Sequence, residues 1–500
     1  MSDPKPRAAV IGSGFGGLSL AIRLQSSGFD VTVIEGRDKP GGRAYVWEDE
    51  GFIFDAGPTV ITDPDCLKEL FTISGRKIED YVELLPVNPF YRLVWEDGDV
   101  FDYANDQAEL DRQIGARNPA DVEGYRRFHA YSEELYKKGY LELGAEPFLD
   151  IRSMISAAPA LMKLQAWRSV YDKVSSFVKD EHVRQALSFH SLLVGGSPFA
   201  TSSIYALIHA LERRGGVWFP RGGTGALIRG LVRLLEDLGG TIRLNAPVQK
   251  ITTKDGRVTG VIHHDGEFEA FDTVASNADV MHTYRELLVD DPRGKKVGKA
   301  LEKKRWSPSL FVIYFGLKAE HPEIRHHTIC FGPRFRELIG EIYNKDALAD
   351  DFSLYLHSPC ATDPGMAPPG CTSFYVLSVV PNMETAPIDW AKEGPGYRDK
   401  ILNYLEERYI PNLSRDLVTS RIFTPDDFTT ELNAWNGAAF SLEPLLTQSA
   451  FFRTHNRDDV IPNLYFVGAG THPGAGIPGV VGSAKATAGL MIDDFQTRAA

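Results

Sequence analysis

The stretch from Arg7 to Gly17, RAAVIGSGFGG, limits what this chain can become more than any other. An apolar run, Ala8 to Ile11, enters the glycine-rich turn Gly12-Ser13-Gly14-Phe15-Gly16-Gly17, and Leu18 to Leu24 reads as the start of a helix. Strand, glycine turn and helix in that order are the setting in which G-x-G-x-x-G binds a dinucleotide. Gly12 permits the tight turn, Gly14 admits a pyrophosphate against the backbone, and Gly17 lets helix and strand approach. The helix start, reached through Ser13 and Gly16, offers unpaired N–H groups and a positive dipole end to phosphate. A second apolar run, Asp30 to Ile34, ends at Glu35, 18 residues after Gly17. That spacing suits a carboxylate on an adenosine ribose.

Composition excludes several other classes. A net charge of −13 argues against a nucleic-acid partner, which needs a basic face. No apolar run approaches the roughly 18 residues of a membrane span, and the first strand begins too close to Met1 for a secretory leader. Cys66, Cys330, Cys360 and Cys371 form no C-x-x-C pair, so neither a disulfide framework nor a zinc site is expected, and a reducing, cytoplasmic compartment fits. His190 and His209 stand in apolar surroundings without metal-ligand spacing and read as hydrogen-bonded core residues; no metal is expected.

After Glu35 comes Pro40-Gly41-Gly42-Arg43, a flexible pair followed by a guanidinium whose fork of donors suits a phosphate, or else a turn with a solvated arginine. Phe52 to Asp55 reads as a strand leading to the backbone-dense turn Ala56-Gly57-Pro58-Thr59. The glycine turn, Glu35 and the GGR of Gly41 to Arg43 together resemble the cofactor-binding end of the amine-oxidase and carotenoid-desaturase superfamily. The DAGPT segment, Asp55 to Thr59, resembles the phytoene desaturase branch. The resemblance implies FAD as cofactor, in a domain that a segment near the C-terminus completes.

Farther along, Tyr91 to Trp95 reads as a strand and Pro119 to Leu141 as a polar helix capped by Asn118. Ile151 to Val170 spaces apolar residues helically between Lys163, Arg168 and Trp167; a core helix and a helix lying in a membrane interface both fit. Arg293 to Arg305 gathers seven cations, either a solvated helix face or a contact for anionic lipid. Between these, Leu227 to Leu238 forms a helical leucine stripe, and strands are expected at 241–244, 248–251, 257–263 and 268–275, the last ending in Ser276-Asn277-Ala278-Asp279. Further strands are expected at 310–316, 352–356 and 374–380, among loops whose Pro, Phe and Tyr suit a large apolar ligand.

Near the C-terminus, the strand Asn463 to Val467 runs into Gly468-Ala469-Gly470-Thr471-His472-Pro473-Gly474-Ala475-Gly476-Ile477-Pro478-Gly479-Val480, and a small-residue helix follows from Gly482 to Leu490. This run, LNAWNGAAFSLEP (Leu432 to Pro444) and HNRD (His455 to Asp458) closely resemble the bacterial-type phytoene desaturases, and the resemblance spans essentially all 500 residues. It implies an α/β fold: a split Rossmann-type FAD-binding domain (1–85, 216–285 and 431–500) with a mixed β-sheet plus helical part (86–215 and 286–430) that holds substrate and associates with a membrane. By the same resemblance, Gly468, Gly470, Ile477, Pro478, Gly479 and Val480 join the flavin site, the backbone at Val248 lies beside the adenine, and Asn277 belongs to the cofactor site. The chemistry implied is stepwise desaturation of 15-cis-phytoene, with all-trans-lycopene the expected product; three steps would give neurosporene and four lycopene. Each step sends a hydride to oxidised flavin and then loses a neighbouring proton.

No general base is evident in the sequence. Arg152 and Asp150 are the catalytic candidates, against the alternative that Arg152 anchors a helix start. A C40 substrate resides in the bilayer, so peripheral attachment to the inner face of the cell membrane is expected, with oxygen or a membrane quinone as electron acceptor. Rivals are a sibling carotenoid desaturase or isomerase, a flavin amine oxidase, and a non-enzymatic prenyl-protein carrier.

Overall fold

A computed structural model of the chain describes residues 5–345, 348–349 and 351–499. Residues 1–4, 346–347, 350 and 500, which fall in the expected segments 1–85, 286–430 and 431–500, lie outside the described residues.

Four of the five residues of Arg7–Ile11 are buried, as in a strand covered on both faces. It pairs in parallel with Asp30–Ile34 on one side and Thr273–Ser276 on the other. Thr241–Arg243 extends this sheet past Asp30–Ile34, and Leu464–Phe466 completes it past Thr273–Ser276, again in parallel. Three separated stretches of chain thus build one five-stranded sheet. Helix Phe15–Ser26 packs against Gly223–Asp237 and Ile477–Ala499. The stripe Leu227, Leu231, Leu234 and Leu235 is buried in this first core.

The strand expected at 268–275 is two strands. Phe268–Ala270 closes an antiparallel meander with Val248–Lys254 and Arg257–His263, whereas Thr273–Ser276 enters the parallel sheet. Between them the Asp272 carboxylate accepts the Arg7 N–H at 2.8 Å, fixing the crossing from one sheet to the other.

A second, seven-stranded sheet runs in the order Leu417–Phe423, Ser309–Leu317, Thr372–Val380, Leu354–His357, His327–Phe331, Tyr91–Trp95 and Val100–Tyr103. Only the pairing of Tyr91–Trp95 with His327–Phe331 is parallel. The strand expected at 352–356 starts later because the Ser353 hydroxyl accepts the Gly332 N–H at 3.0 Å in place of a ladder bond. The helix expected from Pro119 begins at Asp121; Asn118 Oδ1 accepts the Ala120 N–H instead of capping the helix. Past Leu135 the winding widens to a π-helix, Tyr136–Glu142, and the Tyr140 hydroxyl donates to Asp63. No helix among the described residues is long and apolar enough to cross a membrane.

Candidate active site

The glycine turn folds as its residues require. Gly12 has φ +93°, and a Cβ on Gly17 would sit 2.0 Å from the Gly12 carbonyl oxygen, so neither position accepts a side chain. The Gly12 N–H donates to Ile34 O at 2.8 Å, joining the first two strands at the turn. Ser13 donates through both its N–H (2.8 Å) and its hydroxyl (2.6 Å) to Glu35 Oε2, while the Arg37 N–H donates to Oε1 at 3.0 Å. A carboxylate accepts about four such bonds, so Glu35 keeps capacity for a ribose hydroxyl. Asn277 Oδ1 accepts the Gly17 N–H.

A cavity of about 870 Å³ begins at this turn. Gly12, Ser13, Gly14, Gly16, Glu35, Gly42 and Arg43 line its first section, together with Val248 and Asn277. Pro58 and Thr59 border it from one side, and Ile477, Pro478, Gly479 and Val480 from another. Gly17, Gly468 and Gly470 stand behind this wall. A Cβ on Gly470 would meet Val280 at 2.5 Å, and the Gly468 N–H donates to the Ser483 hydroxyl at 3.1 Å, so these glycines allow close packing without facing the cavity.

The C-terminal helix starts at Ile477, five residues before the expected Gly482, because proline fits a first helical turn, where its missing N–H is not needed. The loop residues Ile477 to Gly479 are therefore a second helix start on the cavity. Arg43 Nε and Nη2 are buried without a protein partner, and burial lowers this guanidinium's pKa while Asp279 draws it back. Backbone that admits no side chain, two helix starts, an orphaned cation and a carboxylate with spare capacity fit a dinucleotide's ribose and pyrophosphate.

The far section of the same cavity is the inward face of the seven-stranded sheet. Strand register aligns Ile329, Tyr355, Leu377, Val312 and Phe423 in one row across five strands, and all five line the cavity. Helix Ile151–Lys163 closes another side with Met154 and Leu161. The Asp150 side chain caps this helix, accepting the Ser153 N–H at 2.9 Å; it is exposed, as is Arg152, and neither lines the cavity. The catalytic expectation for Arg152 and Asp150 thus finds a helix cap and a solvated neighbour in its place.

The same helix carries apolar residues on a second face. Ile151, Ile155 and Met162 fall within about 40° of one another around the axis, and Ile155 and Met162 are each 65% exposed. Trp167 follows at 61%. Ala450–Phe452 packs against the helix, Phe452 is exposed, and its carbonyl accepts from Lys304 Nζ at 3.2 Å, so the apolar face and the basic run adjoin. Not all of that run is free: Arg293 pairs with the buried Asp458 at 2.6 Å and Arg305 with Glu443 at 2.9 Å, leaving Lys295, Lys296, Lys299 and Lys303 exposed.

Other residues that position the site carried no sequence signal of their role. Arg453, buried, donates to Ala469 O at 2.6 Å. Asn456 of the HNRD segment donates to His472 O and to the hydroxyls of Ser483 and Thr487, clamping the glycine loop to its helix. His472 faces the cavity; burial pushes its pKa down to about 4, and its Nε2 lies 3.1 Å from Leu143 O. His190 and His209 are core residues as expected: His190 lies 3.0 Å from the fully buried Glu212, and His209 Nδ1 lies 2.8 Å from the Tyr103 hydroxyl.

Comparison with known proteins follows this geometry. Residues 15–492 match the family described as flavin containing amine oxidoreductase. The chain is 65% identical to phytoene desaturase (lycopene-forming) of Pseudescherichia vulneris over 98% of this chain and 100% of that one. It is 63% identical to the protein of the same name from Pantoea ananas, over 97% and 99%. Among solved structures it is similar to putrescine oxidase bound to putrescine, with a TM-score of 0.66 at 16% identity, covering 98% and 99% of the two chains; that likeness concerns the fold. The split parallel sheet, the glycine cradle and these matches agree: the chain belongs to the flavin containing amine oxidoreductase family, whose cofactor here is FAD.

Proposed function

We propose that this chain is an FAD-dependent phytoene desaturase that takes 15-cis-phytoene stepwise to all-trans-lycopene in carotenoid biosynthesis. The observation that carries this reading is a single cavity in which a dinucleotide cradle opens onto a wall of aliphatic and aromatic side chains, in a chain so close to two lycopene-forming relatives. The cofactor part is assigned to 1–85, 216–285 and 431–500, with 86–215 and 286–430 as the substrate part.

Bound FAD supplies the acceptor for a hydride from a substrate methylene. The backbone from Gly12 to Gly16 holds its pyrophosphate, Glu35 its ribose, and Arg43 meets its negative charge. Pro58, Thr59 and the helix start at Ile477 would hold the flavin end of the cofactor. Ile329, Leu377 and Val312 keep water from the reacting carbons, where a cationic intermediate would be quenched. Arg152 and Asp150 stand off the cavity, and no catalytic role is assigned to them.

The substrate reaches this cavity from lipid. The exposed face of Ile151, Ile155 and Met162, with Trp167 and Phe452, lies in the interface, and the free lysines of 295–303 meet anionic headgroups on the cytoplasmic face of the cell membrane. Oxygen or a membrane quinone would serve as the electron acceptor. Incubation with phytoene and FAD in liposomes, followed by product chromatography, tests the activity: lycopene is the expected product, neurosporene would reduce the step count to three, and unchanged phytoene with bound FAD would reject the reading.

A further inference from the structure

Desaturation removes two hydrogens, and the second leaves as a proton inside a cavity built to exclude water. On the inward face of the seven-stranded sheet, the row beyond Ile329 and Tyr355 is His327, His357, Tyr375 and Tyr314, by the register of four neighbouring strands. One two-residue step along each strand therefore takes Ile329 to His327, Tyr355 to His357, Leu377 to Tyr375 and Val312 to Tyr314, from a mainly apolar row to one of imidazoles and phenols. These side chains are connected. The hydroxyls of Tyr375 and Thr59 lie 2.8 Å apart, those of Thr59 and Tyr355 3.2 Å apart, and the Tyr355 hydroxyl is 2.7 Å from His327 Nδ1. Thr59, Tyr355 and Tyr375 line the cavity, and Thr59 belongs to the loop proposed above to hold the flavin.

Behind them, ring nitrogens of His326, His327 and His357 lie within 4.8 Å of one another, all buried. His326 Nδ1 is 2.7 Å from the Thr362 hydroxyl, but His326 Nε2, His327 Nε2 and both nitrogens of His357 are buried without a partner. So many orphaned nitrogens are costly unless they serve a purpose. No carboxylate belongs to the cluster, so a divalent metal held there would bring uncompensated charge into the interior. A single proton is a smaller charge, and three imidazoles can share it.

We propose that Tyr375, Thr59 and Tyr355 carry the proton released by each desaturation to His327, and that His326 and His357 help to hold it. This rests on the desaturase reading above. Per step, one C–H bond gives its electron pair and hydrogen to FAD as hydride. The neighbouring C–H bond leaves its electron pair in the new double bond and its proton on a cavity hydroxyl oxygen. That hydroxyl passes its own proton along the chain, the Tyr355 hydroxyl donates to His327 Nδ1, and the proton leaves the imidazoles when the electron acceptor, oxygen or a quinone, takes up the hydride's electrons together with one proton. At rest His327 is therefore protonated at Nε2 only. Burial keeps all three imidazoles neutral in that state, with His326 pushed down to about 3.

The test uses the FAD-loaded protein in phytoene liposomes under single turnover. Tyr355→Phe and Thr59→Val should slow the appearance of polyene absorbance by about 10²-fold or more, the usual worth of a positioned proton acceptor. Thr59→Ser, which restores the hydroxyl, should stay within a few-fold of the parent. In the slowed variants, deuterium at the proton-losing methylene should give a larger isotope effect than in the parent, a change that a merely structural role would not produce. Independently of turnover, ¹⁵N-histidine NMR should find His327 Nδ1 unprotonated and its signal moved by Tyr355→Phe. Parent-like rates and isotope effects in both hydroxyl-deleted variants, a proton on His327 Nδ1, or one equivalent of metal that is lost with His357→Ala would overturn the relay. If the parent binds FAD yet leaves phytoene unchanged, the desaturase reading fails and the NMR result alone decides the hydrogen-bond chain.

Discussion

The two ends of the cavity are made from different materials. The cofactor end is mainly backbone, with the Glu35 carboxylate and the Arg43 guanidinium added: glycines, helix starts and short turns, where at Gly17 a single added methyl group has nowhere to go. The sheet end is side chain: Ile329, Tyr355, Leu377, Val312 and Phe423, drawn from five strands and aligned only by register. Backbone surfaces bind what every FAD shares, whereas side-chain surfaces can be retuned one residue at a time. The difference teaches where specificity resides.

Substitutions can break that contrast or sharpen it. The largest effect is expected from Gly17→Ala. Its Cβ would lie 2.0 Å from the Gly12 carbonyl, so the protein should purify without flavin absorbance, even after incubation with FAD. Val312→Trp at the other end should retain the flavin spectrum while phytoene turnover falls by about 10²-fold, since the reacting carbons would be displaced by an ångström or more. If Val312→Trp instead lost FAD, the two ends would not be separable.

Asp55, at the end of the strand Phe52–Asp55 just before the cavity-lining loop of Pro58 and Thr59, offers a pH test. Burial raises its pKa from 3.8 to about 6, offset in part by the Thr224 and Gly225 N–H groups and Arg229. A raised folded-state pKa means stability that is present below about pH 4 and lost as pH rises through 6. Asp55→Asn should therefore melt higher than the parent above pH 6, by up to about 3 kcal/mol, and the difference should vanish below pH 4. A difference independent of pH would mean that the carboxylate is not the cause.

The smallest effect on stability, within about 0.5 kcal/mol, is expected for Ile155→Asp with Met162→Asp, because both side chains are solvent-exposed. These variants should keep FAD and the parent melting temperature, yet no longer float with anionic liposomes. Unchanged flotation would move the docking surface elsewhere.

What the sequence disclosed divides along the same line. The cradle was legible because its constraints are local: Gly12 needs a positive φ, Gly17 a missing side chain, and Glu35 a fixed distance along one strand–helix–strand unit. Five strands of the parallel sheet could be named from apolar runs, though Phe268 to Ala275 hid a change of sheet that depends on Asp272 meeting Arg7. The sheet wall was not legible as a wall. That His327, His357 and Tyr375 fall in one row follows from pairings between strands 30 residues apart and less, which no local pattern encodes. The two readings of the Ile151 helix also resolve in space, since one face meets the cavity and the other meets solvent. Asp150 was a catalytic candidate in the sequence, and in the structure its side chain accepts the Ser153 N–H as a helix cap.

The position of Leu464–Phe466 beside Thr273–Ser276 has a consequence in time. The strand that completes the sheet and the helix start at Ile477 leave the ribosome some 450 residues after the glycine turn. At about 5–20 residues per second, the cradle waits on the order of half a minute to a minute and a half before it can hold its cofactor. For about the last 190 of those residues, the edge of Thr273–Ser276 turned away from Arg7–Ile11 has no strand to pair with. Nascent chains of this protein should therefore depend on chaperones until residues 464–479 have been made, and flavin supply becomes useful only from then on.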